Sequence, residues 1–156
     1  MTNRAPHEPT GSPGSTVLLV DDEPDILLGY KMALENGLGV RVETARSGLE
    51  ALGCLTTLRP DIIVSDYRMP VMDGMEFFTR VRGLAPHIPL VMLTAYPDSD
   101  LAATAIARLG VSRFFSKTIA PEQLVEEVRR LLARPRVPSP GPAAAAKAPT
   151  ARRSGS

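Results

Sequence analysis

Two periodicities alternate along this chain. Val17–Val20 is an unbroken apolar run, which predicts a strand buried on both faces. Pro24 suits the first turn of a following helix, where Ile26, Leu27, Tyr30, Ala33 and Leu34 recur at helical spacing. Gly37 and Gly39 are expected to end it. Val40–Ala45 alternates apolar and polar, as an edge strand does. Ser47 can cap the next helix, whose inner face is Ala51, Leu52, Leu55 and Leu58 and whose stop is Pro60. Ile62-Ile63-Val64 is a second buried strand, followed by a helix carrying Met75, Phe78 and Val81. Ile88 to Leu93 is a third, with Pro89 near its start. Asp98 or Ser99 can cap a helix with Ala102, Ala105, Ile106 and Leu109, closed by Gly110. Val111–Phe115 reads as a short last strand. Pro121 opens a final helix with the stripe Leu124, Val125, Val128, Leu131 and Leu132.

Five βα units in a row predict an α/β fold with a parallel sheet covered by helices on both faces. The two least apolar strands, Val40–Ala45 and Val111–Phe115, belong at the edges. That placement fits a doubly wound five-stranded sheet of order 2-1-3-4-5, whose site lies at the carboxyl ends of the strands.

Composition trims this picture at both ends. Residues 1–15 hold three Pro and two Gly among polar residues, so a disordered leader is expected, with no apolar stretch to serve as a signal peptide. Residues 135–156 are rich in Pro and Ala, carry four basic side chains and no acidic one, and read as a flexible tail. The domain is therefore expected over residues 16–134. That span has 13 basic and 16 acidic side chains, a net charge of −3, which argues against nucleic-acid binding by the domain itself. Cys54 is the only cysteine, so no intrachain disulfide can form. No apolar run reaches membrane-spanning length. A soluble cytoplasmic protein is expected.

The informative residues stand where the strands end. Asp21-Asp22 follows the first, Asp66 ends the third, Thr94 the fourth, and Lys117 the fifth. Three carboxylates in one crevice repel one another unless a cation joins them. Oxygen-only ligands without His or Cys favour Mg²⁺ over Zn²⁺. Lys117 adds a point charge for a phosphate oxygen, and Thr94 adds a hydroxyl donor. The set points to phosphoryl chemistry with a carboxylate nucleophile.

Four segments carry a family resemblance: Val17-Leu-Leu-Val-Asp-Asp-Glu-Pro24, Asp66-Tyr-Arg-Met-Pro-Val-Met-Asp-Gly74, Leu93-Thr-Ala95 and Phe114-Phe-Ser-Lys117. In this order, each at a strand end, they resemble the receiver domain of bacterial response regulators, the CheY-like domain of two-component signalling. The resemblance covers residues 16 to about 134 and implies a flavodoxin-like (βα)5 fold. It implies that Asp66 is the phospho-acceptor, that Asp22 binds Mg²⁺ directly and Asp21 more weakly or through water, and that the backbone carbonyl of Arg68 is a further ligand. It implies that Thr94 hydrogen-bonds the phosphoryl group, that Lys117 pairs with one of its oxygens, and that Phe114 is an aromatic switch. The implied donor is a sensor histidine kinase or phosphotransfer protein, and the implied output is a downstream protein target. The protein would then be a single-domain response regulator and not an enzyme, catalysing only the phosphorylation and dephosphorylation of its own aspartate.

Two departures stand out. Thr118 follows Lys117 where the family usually has Pro. A cis bond before a non-proline residue costs about 3–4 kcal/mol, so a trans Lys117–Thr118 bond is expected. Arg68 and Tyr96, each two residues beyond a key residue, would flank the phosphoryl group and are expected to prolong its life.

Other classes fit less well. A hydrolase with an Asp nucleophile, of haloacid-dehalogenase type, needs an acid two residues after it, and Arg68 stands there. Nucleic-acid binding would rest on four tail cations with no aromatic residue among them. A phosphorylation-independent receiver-like scaffold is opposed by the intact acid set.

Overall fold

The computed structural model describes residues 14–95 and 99–134. Five strands alternate with five helices: β1 (Thr16–Val20), α1 (Pro24–Leu38), β2 (Arg41–Ala45), α2 (Gly48–Cys54), β3 (Ile62–Asp66), α3 (Gly74–Leu84), β4 (Leu90–Thr94), α4 (Ser99–Leu109), β5 (Arg113–Ser116) and α5 (Pro121–Leu132). The strands are all parallel in the order β2-β1-β3-β4-β5, as the apolar pattern predicts.

Successive strand residues point to opposite faces, so each central strand feeds two cores. Val17, Leu19, Ile62, Val64, Val91 and Leu93 face α1 and α5. Leu18, Val20, Ile63, Leu90 and Met92 face α2, α3 and α4. Every residue of β3 and β4 is buried, which explains their lack of polar alternation.

The boundaries differ from the sequence reading in ways that packing explains. Gly37 does not end α1; it lies inside the helix, where a Cβ would come within 2.8 Å of Val125 Cγ1 on α5. Gly39 is the terminator, in the left-handed conformation at φ 65°. α2 stops at Cys54 rather than running to Pro60, because Thr56 and Thr57 turn tightly onto the carbonyls of Gly53 and Cys54. Leu55 and Leu58 still pack against the second core. β4 begins after Pro89, and β5 begins at Arg113. Val111 is a buried plug whose N–H reaches back to Ala105 of α4. Ile106 is not on the inner face of α4: it is 52% exposed, and among the described residues of that helix only Ala105 and Leu109 are buried.

Ser47 caps α2 as expected, accepting from the Glu50 N–H at 3.0 Å. Ser15, placed in the expected leader, is buried, and its carbonyl accepts from Arg41 N–H. Residues 1–13, the tail 135–156, Tyr96 and the Asp98 cap lie outside the described residues. Among the described residues no helix is long and apolar enough to cross a membrane.

Candidate functional site

Because the strands are parallel, their carboxyl ends meet at one edge of the sheet. β1 delivers Asp21 and Asp22, β3 delivers Asp66, β4 delivers Thr94, and the residue after β5 is Lys117. Carboxylate oxygens of Asp21, Asp22 and Asp66 all lie within 4.8 Å of one another. Asp21, Asp66 and Thr94 are buried; Asp22 is half-buried.

Lys117 Nζ closes the crevice. It donates to Asp66 Oδ2 at 2.9 Å and to Asp21 Oδ1 at 3.3 Å, and lies 3.7 Å from the exposed Glu23 carboxylate. Asp21 Oδ1 also accepts the Glu23 N–H at 2.9 Å, which orders the entry to α1 just before Pro24. Asp21 Oδ2 is different. It lies 3.1 Å from Lys117 Nζ, yet it is buried with no hydrogen bond of its own among the described residues. Such an oxygen is costly to bury unless something binds it.

The charges respond to this crowding. Burial pushes the Asp21 carboxyl up to about 6, opposed by the Glu23 N–H and aided by the nearby Asp66. Burial also raises Asp66, against the pull of Lys117 and of the Arg68 backbone N–H. Burial alone would lower the Lys117 ammonium, but hydrogen bonds to Asp66 and Asp21 outweigh it and hold the group above its ordinary value.

A pH dependence follows. An acid whose folded pKa is raised holds its proton more tightly in the folded state than in the unfolded one. Without divalent metal, the Asp21 contribution to stability should therefore decline as pH rises from about 4 to about 6, by on the order of 3 kcal/mol. Urea titrations across that range in EDTA should show the decline. Saturating Mg²⁺ should abolish it, since bound metal prefers the carboxylate. A flat profile in EDTA would contradict the burial of an ionised acid.

The β5–α5 loop, with Thr118 after Lys117, is held in several ways. No peptide bond is cis among the described residues, so Lys117–Thr118 is trans as expected. Lys117 N–H donates to Thr94 O at 2.7 Å. The Tyr30 hydroxyl of α1 is shared between the carbonyls of Lys117, at 3.3 Å, and Ile119, at 3.4 Å. Ser116 and Thr118 hydroxyls pair at 2.8 Å. Ala120 caps α5 with no side-chain bond, and Gln123 reaches back to its N–H.

The β3–α3 loop is shaped by a close approach. Gly74 N–H donates to Tyr67 O at 2.7 Å, and a Cβ on Gly74 would sit 2.5 Å from the Asp66 carbonyl oxygen. Gly74→Ala should push the Asp66 loop outward and cost about 3 kcal/mol, read from the denaturation midpoint. Asp73 caps α3 by accepting the Glu76 N–H at 2.9 Å. Val71, 91% exposed, holds φ at 71°, a strained value for a β-branched residue. Arg68 is exposed and lines a cavity of about 470 Å³ with Tyr67, Met69, Pro70 and Asp73. Phe114 is half-buried at the margin of the second core, in register with Met92.

The residues that strand-end reasoning missed are Tyr30, Glu23 and the close contact at Gly74. Tyr30 reads as a core position in the helical stripe, which it also is.

The chain that builds this sheet and acid cluster matches the family model of the response regulator receiver domain over residues 17–129. The chain belongs to the response regulator receiver family. Curated relatives include the transcriptional regulatory protein GlrR of Escherichia coli, 37% identical over 117 residues, which cover 72% of this chain and 25% of GlrR. The transcriptional regulatory protein PrrA of Mycobacterium tuberculosis is 37% identical over 128 residues, covering 80% of this chain and 53% of PrrA. The receiver thus spans a quarter to a half of these relatives. Among solved structures, the chemotaxis protein CheY4 of Vibrio cholerae superposes with a TM-score of 0.70 at 34% identity, covering 75% of this chain and 98% of that one.

Proposed function

We propose that this receiver accepts a phosphoryl group on Asp66 from the phosphohistidine of a sensor kinase or phosphotransfer protein, with Mg²⁺ at the acid cluster. The observation that carries the reading is Lys117 Nζ lying 2.9 Å from Asp66 Oδ2 while two further carboxylates crowd the same pocket. One residue is thus nucleophile-ready, and a cation stands beside it.

The oxygen-only donor set and the orphaned Asp21 Oδ2 suit a hard divalent cation. Asp21, Asp22 and Asp66, with the Arg68 backbone carbonyl, would hold it. When bound, Mg²⁺ neutralises carboxylate repulsion and the charge that builds on the transferring group. The Asp66 carboxylate attacks phosphorus in line. The O–P bond forms as the N–P bond breaks, and the electron pair leaves with the donor imidazole. Lys117 stabilises the developing charge on a phosphoryl oxygen, and Thr94 offers it a hydroxyl at the adjacent strand end. The new group adds charge and acceptors. Thr94 turns toward it, Phe114 follows into the space released, and the surface of α4, β5 and α5 changes for a downstream protein partner. The only catalysis in this scheme is the receiver's own phosphorylation and dephosphorylation.

Incubation with acetyl phosphate and Mg²⁺, followed by intact-mass measurement, should show one added phosphoryl group, absent in EDTA. No addition to the folded protein would overturn the reading in favour of a phosphorylation-independent scaffold.

A further inference from the structure

Arg82, in the last turn of α3, does something its place in the sequence does not announce. Its guanidinium donates to four backbone carbonyls: Leu109 O from Nε at 2.5 Å, Gly110 O from Nη2 at 3.1 Å, and Ile88 O at 2.6 Å and Pro86 O at 3.2 Å from Nη1. Leu109 and Gly110 close α4, where helix carbonyls have no partner within the helix and the dipole is negative. Ile88 and Pro86 belong to the turn leading into β4. One planar fork thus ties the end of α4 to α3 and to the start of β4, a task a lysine ammonium cannot reproduce.

The rest of α4 is less buried among the described residues. Among its described residues the two buried ones, Ala105 and Leu109, both lie in its C-terminal half. By contrast α1 and α3 bury four residues each and α5 buries five. The N-terminal end of α4, about 15 Å from the anchored end, follows the segment leaving Thr94 at the crevice.

We infer that α4 is a lever hinged at its C-terminal end by Arg82. A phosphoryl group at Asp66 displaces the half of the helix near Ser99 while the Leu109–Gly110 end stays fixed. This rests on the phosphorylation reading above and adds where the switching helix moves and what it moves against.

Hydrogen exchange read by mass spectrometry tests it on the full chain. The resting protein and the protein with Mg²⁺ and beryllofluoride, a phosphoryl mimic, are compared for wild type, Arg82→Met and the milder Arg82→Lys. In wild type, exchange should change over residues 99–104 and stay constant at the amides of Gly110 and Ser112, which bond Ile106 O and Leu90 O. In Arg82→Met these two amides should exchange about tenfold faster even at rest, with Arg82→Lys between. Unchanged exchange in the resting variants would overturn the hinge, as would a wild-type response at Gly110 as large as at residues 99–104. If beryllofluoride changes nothing and acetyl phosphate leaves no phosphate, the function reading fails instead, and the resting comparison still decides whether Arg82 anchors the helix.

Discussion

Asp66→Asn should take up no phosphoryl group and should bind Mg²⁺ at least about tenfold more weakly, because the nucleophile and one ligand charge disappear together. The same substitution should leave the metal-free protein folded and slightly more stable at neutral pH. Asp66 is a buried acid whose carboxyl burial pushes upward, in repulsive company with Asp21 and Asp22. The amide oxygen can still accept from Lys117 while adding no charge, so a gain of about 1 kcal/mol in EDTA is expected. Chemical denaturation with and without Mg²⁺ separates the effects: wild type should gain more from the metal than the variant does. Phosphate uptake by Asp66→Asn would move the acceptor elsewhere in the crevice.

The second large effect belongs to Lys117. Lys117→Met removes the cation that pairs with Asp66 and Asp21, leaving two buried carboxylates with backbone N–H partners but without that counter-charge. Breaking a buried pair from one side costs about 3–5 kcal/mol, and that loss is expected at pH 7 in EDTA. At acid pH the deficit should shrink, because the carboxyls then hold their protons and need no counter-charge. Mg²⁺ should also recover most of the lost stability, since it supplies the missing charge to the same oxygens. The rate of phosphoryl uptake should not recover. It should stay about a hundredfold below wild type, because among the described residues no other side chain contributes an ammonium beside Asp66. A variant with normal uptake would mean that Lys117 serves the fold alone. Metal therefore distinguishes the two duties of Lys117, holding the empty crevice together and aiding transfer within it.

Much of the site was legible from the chain because parallel strands end at one edge. Once Val17–Val20, Ile62–Val64 and Ile88–Leu93 read as buried strands, Asp21, Asp22, Asp66 and Thr94 had to converge. Lys117 followed from its register with the last strand. Helix lengths were less legible. The stripe Ala51, Leu52, Leu55 and Leu58 looks like one helix to Pro60, yet the chain turns tightly after Cys54 and packs Leu55 and Leu58, partly buried, against the second core from an irregular segment. Ile106 looked like a core residue because its spacing fits, but α4 rests on the sheet through too narrow a stripe to cover it.

The sequence by itself determined the alternation of strands and helices, which strands are central and which are edges, and the identity of the charges at the carboxyl edge. These depend on local periodicity and on strand direction, which short segments encode. Only the tertiary structure decided which oxygen of Asp21 is left without a hydrogen bond, that Tyr30 holds the loop behind Lys117, that Gly37 yields its side-chain space to Val125, and that Arg82 grips the end of α4. Each joins residues distant in the chain through the rotation of a helix about its axis and the reach of one side chain. Those are settled when helices pack against the sheet, and no local pattern records them.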